Sequence, residues 1–336
     1  MITKQSFVCV ALLLASILTT TTAVANVWRV NNNTDINAHF RQLSEAVNST
    51  SVLAGDTIHM EGSPVNYSTT YLSKRLVIIG PGYFLSGTGA NTGLQYNPYH
   101  ANFSHLSIGN GASGSLLMGI SGYIRLESDV DNVTITRSSI YIESEILQPN
   151  TANENIIINK CMLGMSTGAR LKNLQLTNNI ITYSNIVIPN VVDGLIRNNV
   201  ISLQLNTANS YVANNIFTYN GTLVLSNCSV KYNLSTFNNL PTGAELHNQI
   251  NVPSASIFLG SGSSDGRYQL TAGSPARGAG EPIGGITPDC GAFGTADPYR
   301  LSGIAPIPTI YGLSAPASIP ATATSLNITL STRSNN

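Results

Sequence analysis

The stretch TNNIIT, Thr177–Thr182, sets two amide side chains directly before two β-branched apolar residues. The chain repeats the arrangement in RNNVIS, Arg197–Ser202, and in ANNIFT, Ala213–Thr218. Aligned on the second amide, Asn179, Asn199, Asn215 and, in KYNLST, Asn233 precede Ile180, Val200, Ile216 and Leu234. NKCMLG brings Lys160 and Cys161 into the same frame, and RSSIYI brings Ser139 and Ile140. From Lys160 onward the intervals are 19, 20, 16 and 18 residues. Self-similarity at a period near 20 is the mark of a solenoid, in which each repeat stacks only on its neighbours.

The units hold short Ile, Leu and Val runs bounded by Asn, Gly and Ser, with hardly any helix-period pattern between them, so they read as strands. The L-x-x-L-x-L frame of a leucine-rich repeat is absent. A coil of parallel strands explains the paired amides. Asn tolerates left-handed turn conformations, and identical amides stacked at the strand spacing of about 4.8 Å can hydrogen-bond along the axis as a ladder. Each Asn-Asn is therefore read as a corner, and the apolar residue after it is expected to begin the next strand and fill the interior.

Of the 336 residues only 10% are charged, 16 basic against 16 acidic. That balance argues against nucleic-acid binding and against a polybasic membrane patch. Met1, Lys4, an apolar run from Phe7 to Leu18 and the small residues Ala23 and Ala25 around Val24 read as a signal peptide over residues 1–25. A secreted protein, extracellular or at the cell surface, is expected. The run is too short to span a bilayer, and no later segment reads as transmembrane. Cys161, Cys228 and Cys290 are odd in number, match no metal spacing and read as buried thiols.

NTDINAHFRQLSEAVNST, Asn33–Thr50, is the one helix-like segment, with Ala38, Leu43, Ala46 and Val47 on one face. LAGDTIHMEGSPVNY and LVIIGPGYFL follow it, and YQLTAGSPARGAG and PDCGAFG close the repetitive region. In this layout the chain resembles the right-handed parallel β-helix of the pectin-lyase-like superfamily, among secreted bacterial proteins. The resemblance covers roughly Val27 to Tyr299. It implies an N-terminal capping helix, an early coil at Leu76–Leu85 and closing coils at the two C-terminal segments, with Gly273, Pro275 and Gly291 in tight turns.

The expected organisation is thus a signal peptide over 1–25, an all-β right-handed parallel β-helix of ten or more coils over 26–299, and a small β tail over 300–336. In the tail a Pro/Ala/Ser-rich linker precedes a terminal strand in which Leu326, Ile328 and Leu330 alternate with polar residues. A monomer is expected.

Two stretches carry the densest charge. In GYIRLESDV, Ile124, Leu126 and Val130 should point inward and Tyr123, Arg125, Glu127 and Asp129 outward. In SIYIESEIL, Ile140, Ile142 and Ile146 should point inward and Tyr141, Glu143 and Glu145 outward. An offset of 18 stacks Tyr123 on Tyr141, Arg125 on Glu143 and Glu127 on Glu145. The tyrosines are candidate sugar-stacking faces, with Tyr183 and Tyr219 as extensions. Arg125, Glu127, Glu143 and Glu145 are the candidate catalytic residues. Glu127 and Glu145, like charges one strand apart, are candidate ligands for Ca²⁺, which prefers oxygen; no other cofactor is expected.

Polygalacturonase-like relatives carry Asn-Thr-Asp, Asp-Asp, His-Gly and Arg-Ile-Lys motifs, and no matching array occurs here. Pectate-lyase-like relatives need clustered carboxylates for Ca²⁺ and an Arg or Lys base. The acidic cluster loosely meets the first need, and Arg125 and Arg137 are candidates for the second, but no motif of either family transfers residue by residue and neither activity is carried over. The five histidines show no ligand spacing. The favoured reading is a non-catalytic secreted scaffold or adhesin-like protein that presents a rigid polar surface to an extracellular glycan or a surface protein. The alternative is a polysaccharide lyase or glycoside hydrolase working at the acidic cluster.

Overall fold

The computed structural model describes residues 25–144, 152–165, 170–182 and 188–335. Residues 1–24, Glu145, Ile146 and Tyr183 lie outside the described residues. The chain is an all-β parallel solenoid of about 9 turns, where ten or more were expected. A ten-stranded sheet runs from Val27–Val30 to Ser229–Lys231, and a nine-stranded sheet from Thr70–Leu72 to Leu234–Ser235. A five-stranded sheet, from Ala152–Glu154 to Val224–Ser226, adds a third side to the later coils only. Every pairing in these sheets is parallel, coil on coil. No helix among the described residues is long and apolar enough to cross a membrane.

The expected helix is shorter than its sequence signal, Leu43–Asn48, but Leu43, Ala46 and Val47 are its buried face as anticipated. The Glu45 carboxylate accepts the backbone N–H of Arg41 at 2.8 Å, an acid at the positive end of the helix. The helix touches Val27–Val30 and Thr70–Leu72 and so covers the first coils.

At each Asn-Asn corner the two amides divide the work. The first takes the left-handed backbone: φ is 56° at Asn178, 56° at Asn198 and 58° at Asn214. The second is buried and builds the ladder. Asn179, Asn199, Asn215 and Asn233 each donate Nδ2–H to the side-chain oxygen of the next, at 3.0, 2.9, 3.0 and 3.1 Å, ending on Asn248. Cys161, not Lys160, is the rung above Asn179: its backbone N–H donates to Asn179 Oδ1 at 2.9 Å. Ser138, not Ser139, precedes it, since Met162 pairs with Ser139. A second corner column, with φ of 57° at Asn155, 55° at Asn173 and 51° at Asn209, stands one corner earlier within the same coil.

The residue after each corner does not fill the interior. Ile180, Val200, Ile216 and Leu234 point outward into a second hydrophobic core. Ile181, Ile201 and Phe217, one position on, fill the solenoid, because successive strand residues face opposite sides. The outward column is covered by the C-terminal chain. YQLTAGSPARGAG and PDCGAFG are therefore not closing coils, a correction to the expected layout. Their prolines and glycines suit an irregular strap, which packs Ala276, Cys290, Ala292 and Tyr299 onto the column.

The strap runs back toward the N-terminal coils. Gly291 N–H donates to Asn214 O at 2.8 Å. Asn198 Nδ2 reaches Asp289 O at 3.0 Å and Asn178 Nδ2 reaches Gly294 O at 2.8 Å. Further on, Arg137 Nη1 donates to Ile304 O at 2.7 Å. The tail ends in an antiparallel hairpin of Thr309–Ser314 with Thr329–Arg333, which holds Leu330. Arg333 Nη2 donates to Leu94 O at 2.6 Å, placing the hairpin beside an early coil.

Candidate functional site

Strands Ser121–Leu126 and Ser139–Ser144 pair in the register expected from their offset, Tyr123 on Tyr141 and Arg125 on Glu143. Ile124, Leu126, Val130, Ile140 and Ile142 are buried, while Tyr123 is 50% exposed. The tyrosine rings lie 5.0 Å apart at an interplanar angle of 50°. Arg125 Nη2 meets Glu143 Oε2 at 3.3 Å. Glu127 is half-buried beyond them. Its expected partner Glu145 lies outside the described residues, so the Glu127–Glu145 pair and its Ca²⁺ are not described. Among the described residues no group of three or more His, Cys, Asp or Glu converges as a metal site.

The tyrosine pair forms one wall of a groove of about 620 Å³ on the outer face of the nine-stranded sheet. Asn102, Ser121 and Ser139 lie along its floor, in one register column. That column continues into Met162, Ile180 and Val200. Its switch from polar to apolar marks where the open groove gives way to the strap. The switch is present in the sequence but readable only once the register is known. At Gly122, with φ of 121°, a Cβ would collide with the Phe103 carbonyl oxygen, so only glycine lets the two strands approach there.

Tyr83, Phe84 and Phe103 complete an aromatic lining, with Asn66, His100 and Ser104 as polar neighbours. Phe84 takes φ of 49°, a conformation rare for a bulky residue. Burial pushes the His100 imidazole below its ordinary value, favouring the neutral ring. Among the described residues no carboxylate lines the groove. Arg125, Glu127 and Glu143 stand beside it and not in it. The groove is therefore equipped with flat apolar faces, amides and hydroxyls, and its described lining carries no acid–base pair of the kind glycosidic cleavage requires. Tyr219 is away from it, packed against the main core.

A second polar cluster holds the strap. Glu281 accepts from Tyr211 and meets Lys231 Nζ at 2.7 Å and Arg197 Nη2 at 3.5 Å. Burial pushes the Glu281 carboxyl upward, but hydrogen bonds from Lys231 and Tyr211 prevail and hold it below the ordinary range. Its carboxylate is already occupied by three partners, which makes it a staple. The chain matches no family model, no curated protein and no solved structure.

Proposed function

We propose that the protein is a secreted, pectin-lyase-like β-helix that binds an uncharged glycan without cleaving it. The observation that carries the reading is the groove itself: tyrosines on one side, Phe84 on the other, and Asn102, Ser121 and Ser139 between them, with no carboxylate among the described lining residues. Aromatic faces pack on the C–H faces of pyranose rings, and neutral amides and hydroxyls exchange hydrogen bonds with sugar hydroxyls at little desolvation cost. Among the described lining residues a charged polysaccharide would find no counter-ion.

The test is binding of the full chain to neutral and acidic polysaccharides, followed by product analysis. Neutral-glycan binding weakened about tenfold by Tyr123→Ala, with no change in stability, supports the reading. Preference for an acidic polymer overturns it. Release of cleavage products that stops in Glu143→Gln would instead establish the lyase or hydrolase reading, for which the Arg125–Glu143 stack one column away is the available machinery.

A further inference from the structure

The wall of the groove opposite the tyrosine pair is not held by its own coil alone. Tyr83 and Phe84 sit on the loop after Val77–Ile79, and besides the loop's own Asn91 their fixings come from the far end of the chain. Tyr83 N–H donates to Ser302 O at 2.9 Å. The Tyr83 hydroxyl meets the Tyr299 hydroxyl at 2.5 Å. The Phe84 carbonyl accepts the Asn91 N–H at 2.8 Å and the Ser302 hydroxyl at 3.3 Å.

These contacts converge on Asp265, which is fully buried. Its carboxylate accepts Asn91 Nδ2 at 2.8 Å, the Tyr299 hydroxyl at 3.1 Å, the Ser302 backbone N–H at 2.7 Å and the Ser263 hydroxyl at 3.0 Å. Gly303, at φ of 57°, lets the strap pass: a Cβ there would collide with both the Arg137 carbonyl and the Tyr83 ring. A buried acid with four donors is a demanding arrangement, since a carboxylate taken from water must be fully hydrogen-bonded to be tolerated. Through Asn91, Tyr299 and Ser302 it is linked to Tyr83 and to Phe84 with its left-handed backbone. Backbone held in a sparsely populated region persists only where its surroundings over-determine it.

We propose that Asp265, Tyr299 and Ser302 form a latch that positions the Phe84 wall, making the C-terminal strap a determinant of glycan affinity. These are positioning residues: none lines the groove. The inference rests on the glycan reading above for its ligand, but the placement of Phe84 can be measured without one.

In the full chain, Phe84→Trp supplies a fluorophore in the wall; Trp28, the single native tryptophan, is packed against the main core and gives a constant background. Adding Asp265→Asn should red-shift the emission of the introduced indole and raise its quenching by iodide. Unchanged emission and quenching would overturn the latch. Affinity is then measured for cellohexaose, xylohexaose, mannohexaose and laminarihexaose, in the wild type, in Asp265→Asn and in Val230→Ala. The last is a core variant at the opposite end of the solenoid and serves as the stability control.

A loss of about tenfold in Asp265→Asn but not in Val230→Ala supports the proposal. Equal affinity in all three overturns it while leaving the glycan reading intact. If the wild type binds none of the four, the glycan reading fails, and the emission and quenching result alone decides the latch.

Discussion

Asn199 donates its backbone N–H to Asn215 Oδ1 at 3.0 Å and its side-chain amide to the same oxygen at 2.9 Å, while its own Oδ1 receives the matching pair from Asn179. Each rung also donates to a strand carbonyl, Leu176 O in the case of Asn199, at 2.7 Å. The ladder therefore satisfies backbone groups that the corner would otherwise leave unpaired inside the solenoid.

Replacing a central rung removes acceptors and donors together. Asn199→Ala should cost about 3 kcal/mol, several orphaned buried groups at roughly 1–3 kcal/mol each. Asn248→Ala, at the half-buried open end, should cost less. Urea denaturation of the two variants checks the order.

The two cores should fail differently. Ile216→Ala, beneath the strap, and Phe217→Ala, inside the coil, each lose about 2–5 kcal/mol of packing. Only the first should loosen the strap first, seen as proteolysis between residues 236 and 304 while the coil fragment survives. Cleavage at the same sites and rates in both would contradict two separable cores.

The Arg125–Glu143 pair should matter little to folding. Both side chains are over 30% exposed, at 33% and 40%, and such pairs contribute at most about 1 kcal/mol. Glu143→Gln is expected to unfold within that margin of the wild type; a larger loss would reveal a structural burden the geometry does not suggest.

Acid should destabilise the protein before its carboxylates titrate. Burial, foremost, holds both His59 and His100 below the ordinary 6.5. As pH falls through 6.5 the unfolded chain takes up protons that the folded chain refuses, so stability drops between 6.5 and the lower folded values. Glu61 and Arg29 face His59, and Glu61, itself held low by Arg29 and Asn31 against the effect of burial, contributes only at more acidic pH. Unfolding free energies at about pH 7.5 and 5.5 should differ in the wild type and converge in His59→Asn/His100→Asn.

The repeat was legible because Asn suits both neighbouring corner positions, the left-handed one and the ladder rung after it, so the pair recurs. The stacking of Tyr123 on Tyr141 was legible because a period-two pattern and one offset suffice to fix it. What the repeat concealed was the fate of Ile180 and Val200. An apolar residue on the outer face of a strand looks like core, and it is core, but of a second layer whose other half lies far downstream among prolines and glycines. Phe84 and Asp265 were invisible for the same reason, since nothing local links a loop aromatic to a distant acid.

The strap also sets an order of events. A coil can stack as soon as its predecessor exists, and chains emerge from synthesis N-terminal end first. The Ser302–Tyr83 hydrogen bond closes a loop of more than 200 residues, the kind of distant contact that forms late. Every coil is thus already in place when the strap arrives, and the Phe84 wall of the groove is finished by a segment made after all of them. An interrupted chain would carry the tyrosine pair and a naked apolar seam, but not a completed groove.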